Sequence, residues 1–253
     1  MTNGRVSILS LAHLGLPHDL KSHVTMMMAR SLVHTDLLHQ LYVIDAEQTE
    51  AVEGLPVVTP VPGNKFIPRV GYLLQAVLSR SGRDLTIGLL DRFTAGALGG
   101  AESVLQTFAM FPQAIATTKA HGTTVVVYAA AAHPAAVEGL WEMERPAWSR
   151  RDGVVGRPGV REAYAAADYV MYLSEFQRQA FVDAGIDEDR LFRVGPLAAD
   201  LTRFRPADPP TDAFVVVAIA DMQPLKGTNH LLDAWDQLDL PDAHLVLVGG
   251  MTD

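Results

Sequence analysis

The chain has 253 residues, 49% of them hydrophobic, and a formal net charge of −9. It contains no cysteine, which excludes disulfides, thiolate metal sites and cysteine nucleophiles. The acidic balance argues against non-specific nucleic-acid binding, which needs clustered Lys and Arg. The local basic group Arg150, Arg151, Arg157 and Arg161 reads as a solvated helix face. No stretch approaches the roughly 20 apolar residues of a membrane span. The N-terminus lacks the basic-then-apolar layout of a signal peptide. The sequence reads as a soluble, cytoplasmic protein.

In chain order, short β-branched runs alternate with helical stretches. Arg5–Leu11 reads as a strand, Asp19–His34 as a helix, Gln40–Ile44 and Pro56–Thr59 as strands. Phe66–Arg80 reads as helix and Asp84–Leu90 as strand. Ala101–Phe108 and Pro112–Ala120 follow as helices, and Thr123–Tyr128 as a strand buried on both faces. Ala135–Arg150 and Pro158–Ala167 read as helices, Asp168–Leu173 as strand, Ser174–Ala184 as helix and Leu191–Gly195 as strand. Ser174 suits an N-cap and Gly185 the position past the helix end. This alternation predicts an α/β fold with a parallel sheet and helices on both faces.

The run Arg205-Pro206-Ala207-Asp208-Pro209-Pro210 reads as a linker. The pattern then restarts, with strand Ala213–Ile219, helix Lys226–Leu238 and strand His244–Val248. Two domains are expected, residues 1–205 and an incomplete 206–253. Two strands and a helix are too little to bury both faces of a sheet.

There is no Gly-x-Gly-x-x-Gly after the first strand, no P-loop and no His-Glu-x-x-His pattern. The glycines of Gly96–Gly100 read as a turn. The informative text begins at Ala167-Asp168, continues through Ser174-Glu175, and reaches Phe204-Arg205-Pro206. Lys226-Gly227, Leu231-Leu232-Asp233-Ala234 and Leu245-Val246-Leu247-Val248-Gly249 follow. Their order and spacing over about 85 residues resemble the retaining GT-B glycosyltransferases of family 4, a specificity that lies in the combination rather than in any one piece.

That resemblance implies two Rossmann-like domains and transfer of a sugar from a nucleotide diphosphate donor to a sugar or lipid-linked acceptor. It implies no metal and no cofactor beyond this co-substrate. Catalysis would be mostly electrostatic preorganisation around the leaving diphosphate. Lys226 and Gly227 would take the diphosphate at a helix N-terminus, although Lys226 also fits an ordinary surface lysine. His133, after the strand Thr123–Tyr128, would be catalytic and face the donor sugar, or else be a strand-end histidine bonded to backbone. Gly15, His18 and Lys21, with His13 and His23, crowd the first strand-to-helix loop and are weaker candidates for donor and acceptor contact. Glu142, Glu144 and Arg145 fit either the acceptor side or a solvated helix face. Met26, Met27 and Met28 read as core packing.

One departure stands out. Ala220-Asp221 replaces the family's usual Gly-Arg, so a negative charge stands where a second cation would meet the diphosphate. The family's donor-binding carboxylate pair is not found before residue 253. Three readings follow: a truncated transferase that turns over poorly by itself, a non-catalytic relative acting as a binding or partner subunit, and a GT-B scaffold with another activity such as epimerisation. A partner chain, a missing C-terminal segment and peripheral membrane contact are all compatible with this reading.

Overall fold

A computed structural model describes residues 4–10, 13–14, 20–43, 45–46, 53–60, 80–143, 159–195, 204–206, 214–220, 222 and 226–250. These form two compact units, one taking the described residues up to 195 and the other those from 204 onward.

The first unit is built on a seven-stranded sheet in which every pairing is parallel. Its strands are β1 (Val6–Leu9), β3 (Leu38–Tyr42), β5 (Val57–Val58), β6 (Val104–Phe108), β7 (Thr124–Tyr128), β8 (Tyr169–Tyr172) and β9 (Leu191–Arg193), in the spatial order β5-β3-β1-β6-β7-β8-β9. Two short strands, β2 (His13–Leu14) and β4 (Asp45–Ala46), pair separately. The helices are α1 (Leu20–His34), α2 (Arg80–Ala97), α3 (Pro112–Ala120), α4 (Pro134–Met143), α5 (Val160–Ala166) and α6 (Glu175–Asp183).

Side chains alternate across a strand, and the core shows it. Ile8 packs with Ala29, Leu41 and Val43, backed by Met26 and Met28 of α1. Its neighbour Leu9 packs the other way, with Tyr42, Leu105, Ile87 and Leu90. A third cluster joins Val125 and Val127 of β7 to Val170, Tyr164 of α5 and Phe181 of α6. The sheet is therefore covered on both faces, which is why its strands read as apolar runs.

Two expectations are overturned. Asp84–Leu90, read as a strand, lies within α2, and Ala101–Phe108, read as a helix, contains β6. The buried residues of α2 are Ile87, Leu90, Asp91 and Thr94, at helical spacing, with Leu98 just beyond. In β6, Leu105 and Thr107 are buried between half-buried neighbours, at strand spacing. Tertiary burial outweighed the local propensity of both segments. The remaining helices and strands stand within a few residues of their expected bounds. The helix expected over Phe66–Arg80 falls outside the described residues except for Arg80, and that over Ala135–Arg150 is described only to Met143.

The start of α3 carries a tertiary cap. Its N-cap residue is Phe111, which offers no side-chain hydrogen bond, and Pro112 has no N–H to satisfy. The next two N–H groups, of Gln113 and Ala114, donate to Asp91 Oδ2 at 2.9 Å and Oδ1 at 2.7 Å. A carboxylate of α2 thus performs the capping of another helix. Burial pushes the Asp91 carboxyl up from its ordinary range, and the two N–H donors pull against that rise.

Gly159 opens α5 with φ of 83°, and a Cβ there would lie 2.9 Å from Pro112 Cγ. Gly185, past the end of α6, has φ of 84° and open space around it.

The second unit holds β10 (Phe214–Ile219), α7 (Thr228–Leu238) and β11 (Ala243–Val248). The strands are parallel and in register from Phe214 against Ala243 to Ile219 against Val248. Val217, Ile219, Val246 and Val248 remain exposed.

Two predictions concern these junctions. Asp91→Ala should cost about 2–4 kcal/mol in urea unfolding, because two buried N–H groups lose their acceptor; Asp91→Asn, which keeps one acceptor oxygen, should cost less. Gly159→Ala should cost about 2–3 kcal/mol, against about 1 kcal/mol for Gly185→Ala, since only the former adds a clash to the left-handed backbone.

Candidate functional site

Parallel open sheets bind ligands beyond the carboxyl ends of their strands, at the point where chain order reverses. In the first unit that point lies between β1 and β6. Ser10, just past β1, is buried and its Oγ meets Thr25 Oγ1 of α1 at 2.6 Å. Thr107 Oγ1 of β6 donates to the Leu9 carbonyl at 3.3 Å. These bonds fix the floor of the switch point.

One strand further on, the ends of β6 and β7 frame a hollow of about 60 Å³. Phe108, Met110, Tyr128, Ala131, Pro134 and Tyr164 contribute to its walls. Phe108 and Tyr128 stand edge to face, with centroids 5.6 Å apart and an interplanar angle of 80°.

His133 sits between β7 and α4 and is buried. Its ring packs edge-on against Phe181 at 5.6 Å and beside Tyr164 at 6.0 Å. Nδ1 accepts a hydrogen bond from the Ala135 N–H at 3.2 Å, which in the neutral ring places the proton on Nε2. Burial lowers its pKa, the Arg161 guanidinium lowers it further, and Glu138 opposes them. Arg161 and Glu138 are themselves paired at 2.6 Å.

In the second unit Lys226 is exposed and directly precedes Gly227. Gly227 is the N-cap of α7, in the left-handed region with φ of 69°, and no side chain caps the helix through it. The Gly227 carbonyl accepts from the Leu231 N–H at 2.9 Å. The helix thus begins two residues later than expected, and Lys226 stands just ahead of it.

Gly15 and His18 lie outside the described residues, as do Asp221, Glu144 and Arg145. Lys21 and His23 lie in the first turn of α1, His13 on β2 and Glu142 in α4. Among the described residues no group of His, Asp and Glu could hold a metal ion, and no helix is long and apolar enough to cross a membrane.

The motif residues upstream have structural work. Asp168 accepts the Val125 N–H at 2.8 Å and pairs with Lys119 at 2.5 Å, tying β8 to β7 and α3. Ser174 Oγ caps α6 by accepting the Gln177 N–H at 3.3 Å. Gln177 accepts the Leu173 N–H at 2.7 Å and donates to the Ala129 carbonyl at 3.2 Å. Sequence reading did not single out Asp91, the hollow or Gln177. Gln177, three residues beyond a capping serine, carried the one local signal.

No sequence-family description matches the chain, and no curated protein matches it either. Solved structures do. Over 97% of this chain the fold superposes on HepE of Anabaena in complex with UDP-glucose, at 14% identity and a TM-score of 0.58. It superposes on the lipopolysaccharide outer core galactosyltransferase WaaB at 10% identity, a TM-score of 0.54 and 98% coverage. The glycosyltransferase of kitacinnamycin matches at 15% identity, a TM-score of 0.51 and 98% coverage. The fold is of the GT-B type. The chain spans 60% of the HepE structure, 62% of WaaB and 66% of the kitacinnamycin enzyme.

The pH dependence of stability tests the environment of this GT-B chain's buried histidine. A folded pKa below the unfolded value means that the unfolded chain binds more protons in between. Stability from His133 should be fully present above about pH 6.5 and fall as pH drops below it. Urea unfolding across pH 8 to 5 (roughly the span in which His changes charge) should show this loss, and His133→Asn should flatten it.

Proposed function

We propose that this chain is the acceptor-side domain and the opening of the donor-side domain of a retaining glycosyltransferase of family 4, acting on a nucleotide diphosphate sugar. In this reading the functional domains are residues 1–205 and 206–253. The observation that carries it is the start of α7, where exposed Lys226 adjoins Gly227 and a helix N-terminus without a side-chain cap. Backbone N–H groups and the positive end of the helix dipole suit an anion there, and Lys226 adds a full charge. The fold shared with HepE, solved with UDP-glucose, supports a nucleoside diphosphate as that anion.

In the transfer, the bond from the sugar's anomeric carbon to the diphosphate oxygen breaks and a bond to an acceptor hydroxyl oxygen forms. The nucleoside diphosphate leaves with the electron pair, and its departing oxygen takes up the proton that the acceptor hydroxyl gives up. Lys226 and the α7 N–H groups stabilise the leaving charge. His133 faces the donor sugar from the acceptor side, its Nδ1 held by the Ala135 N–H. Gly15, His18 and Lys21 are the remaining candidates for substrate contact. No metal or cofactor enters, the location is the cytoplasm, and the acceptor is a sugar or a lipid-linked molecule.

The exposed apolar side chains of β10 and β11 support a second domain completed by further polypeptide, of the same or another chain. Asp221 favours a second reading, a non-catalytic binding subunit, because it puts a negative charge beside the diphosphate position.

Calorimetric titration with UDP-glucose distinguishes them. The transferase reading expects saturable binding that Lys226→Ala weakens about tenfold or more, the loss of one charge-assisted contact. It also expects sugar transfer once the second domain is complete. Absence of binding, or binding indifferent to Lys226, would overturn it. Binding without transfer by the completed protein would favour the subunit.

A further inference from the structure

We infer that the hollow at the ends of β6 and β7 seats an aromatic ring of the ligand held by the first unit. That the ring is a non-sugar part carried by the acceptor of glycosyl transfer rests on the function proposed above; the seating itself does not.

The chemistry of the walls selects the occupant. Among the described residues that line the hollow, none is charged and none carries an amide. The only polar side-chain groups are the hydroxyls of Tyr128 and Tyr164. A pyranose brings a hydroxyl on nearly every carbon, and each one buried without a partner is penalised. Such a wall accepts hydrocarbon and rejects a sugar.

The shape selects further. The enclosed room of about 60 Å³ is several times the roughly 10–15 Å³ that a single water needs but well below the roughly 150 Å³ that encloses a whole benzene, so it takes the edge of one ring and leaves the rest toward the exposed rim. Phe108 and Tyr128 are already set edge to face, and Tyr164 is held edge-on to Phe181 at 4.8 Å. Three rigid aromatic residues therefore border the space, and a fourth ring gains the edge-to-face contacts that aromatic pairs prefer. Ala130 and Ala131 at the rim are exposed, so substituents of the ring can reach outward past them. The hollow lies one strand from the switch point, so a ring seated there holds its outward substituents beside the place where parallel sheets bind ligands.

The test uses the whole 253-residue chain and para-fluorophenol as the probe, followed by fluorine NMR. Saturable binding is expected, weakened about tenfold or more by Ala131→Trp, whose indole fills the mouth from an exposed position. Circular dichroism and the melting temperature of that variant should match the parent, which separates filling from misfolding. Methyl glucoside in large excess should not displace the probe. Lack of saturable binding, indifference to Ala131→Trp in a folded variant, or displacement by methyl glucoside would each overturn the inference. A parallel titration with UDP-glucose keeps the two readings apart. If the nucleotide sugar binds and the phenol does not, the ring seat fails alone. If the phenol binds and the nucleotide sugar does not, the seat stands and its assignment to an acceptor falls.

Discussion

The buried carboxylate of Asp91 fixes the start of α3 and, through it, the passage from the carboxyl end of β6 into that helix. An α-helix begins with N–H groups that have no partner inside it. Here Pro112 removes one and Asp91 takes the next two, from another helix. The segment between β6 and α3 is consequently pinned at both ends. Ala109 and Phe111 are buried, and Met110 between them faces the hollow. Pro112 in turn fills the space that a side chain on Gly159 would need. Helices α2, α3 and α5 thus meet around a single helix terminus.

The polar groups within the sheet follow the same logic. Asp168 joins β7, β8 and α3, with both carboxylate oxygens occupied. Arg190 donates to the Ala165 carbonyl at 2.9 Å and also to those of Tyr164 and Ala167. It thereby closes the end of α5 that has no helical partners of its own. Gln177 bridges the chain after β8 to the chain after β7. Asp168 and Arg190 satisfy backbone where helix gives way to strand, and Gln177 does so where strand gives way to helix. Burial of the His133 ring among Tyr164 and Phe181, with Arg161 nearby, lowers its pKa.

Much of this was legible in the sequence. Thr124–Tyr128 is a β-branched run with buried side chains as read, and Ser174 caps the helix it was expected to cap. Phe214–Ile219 is the expected strand, but the burial expected of it is overturned, since its side chains are exposed or half-buried. A helix start beside Gly227 was legible because a Lys-Gly pair precedes the helical run after a strand. Where the reading failed, the deciding contact was distant. Leu85-Thr86-Ile87 looks extended by itself, yet Asp91 bonds to residues 22 and 23 positions away, and only a helix carries it there together with Ile87 and Leu90. Ala101 and Glu102 favour helix, while the segment that follows them fills the slot between β1 and β7. The hollow had no local signature, because its walls come from β6, β7 and the helices beyond them.

The centre of the sheet also dictates the order in which it can be made. Val6 of β1 pairs with Val104 of β6, and every residue between must be synthesised before that pairing exists. At about 5–20 residues per second, β1 waits for roughly 5–20 seconds on the ribosome. Its pairing with β3 is available far earlier, so the nascent chain holds a half-sheet ending in the open edge of β1. That edge presents unpaired backbone groups to any passing strand. A strand paired on both sides in the finished sheet is thus, while the chain is being made, an open edge.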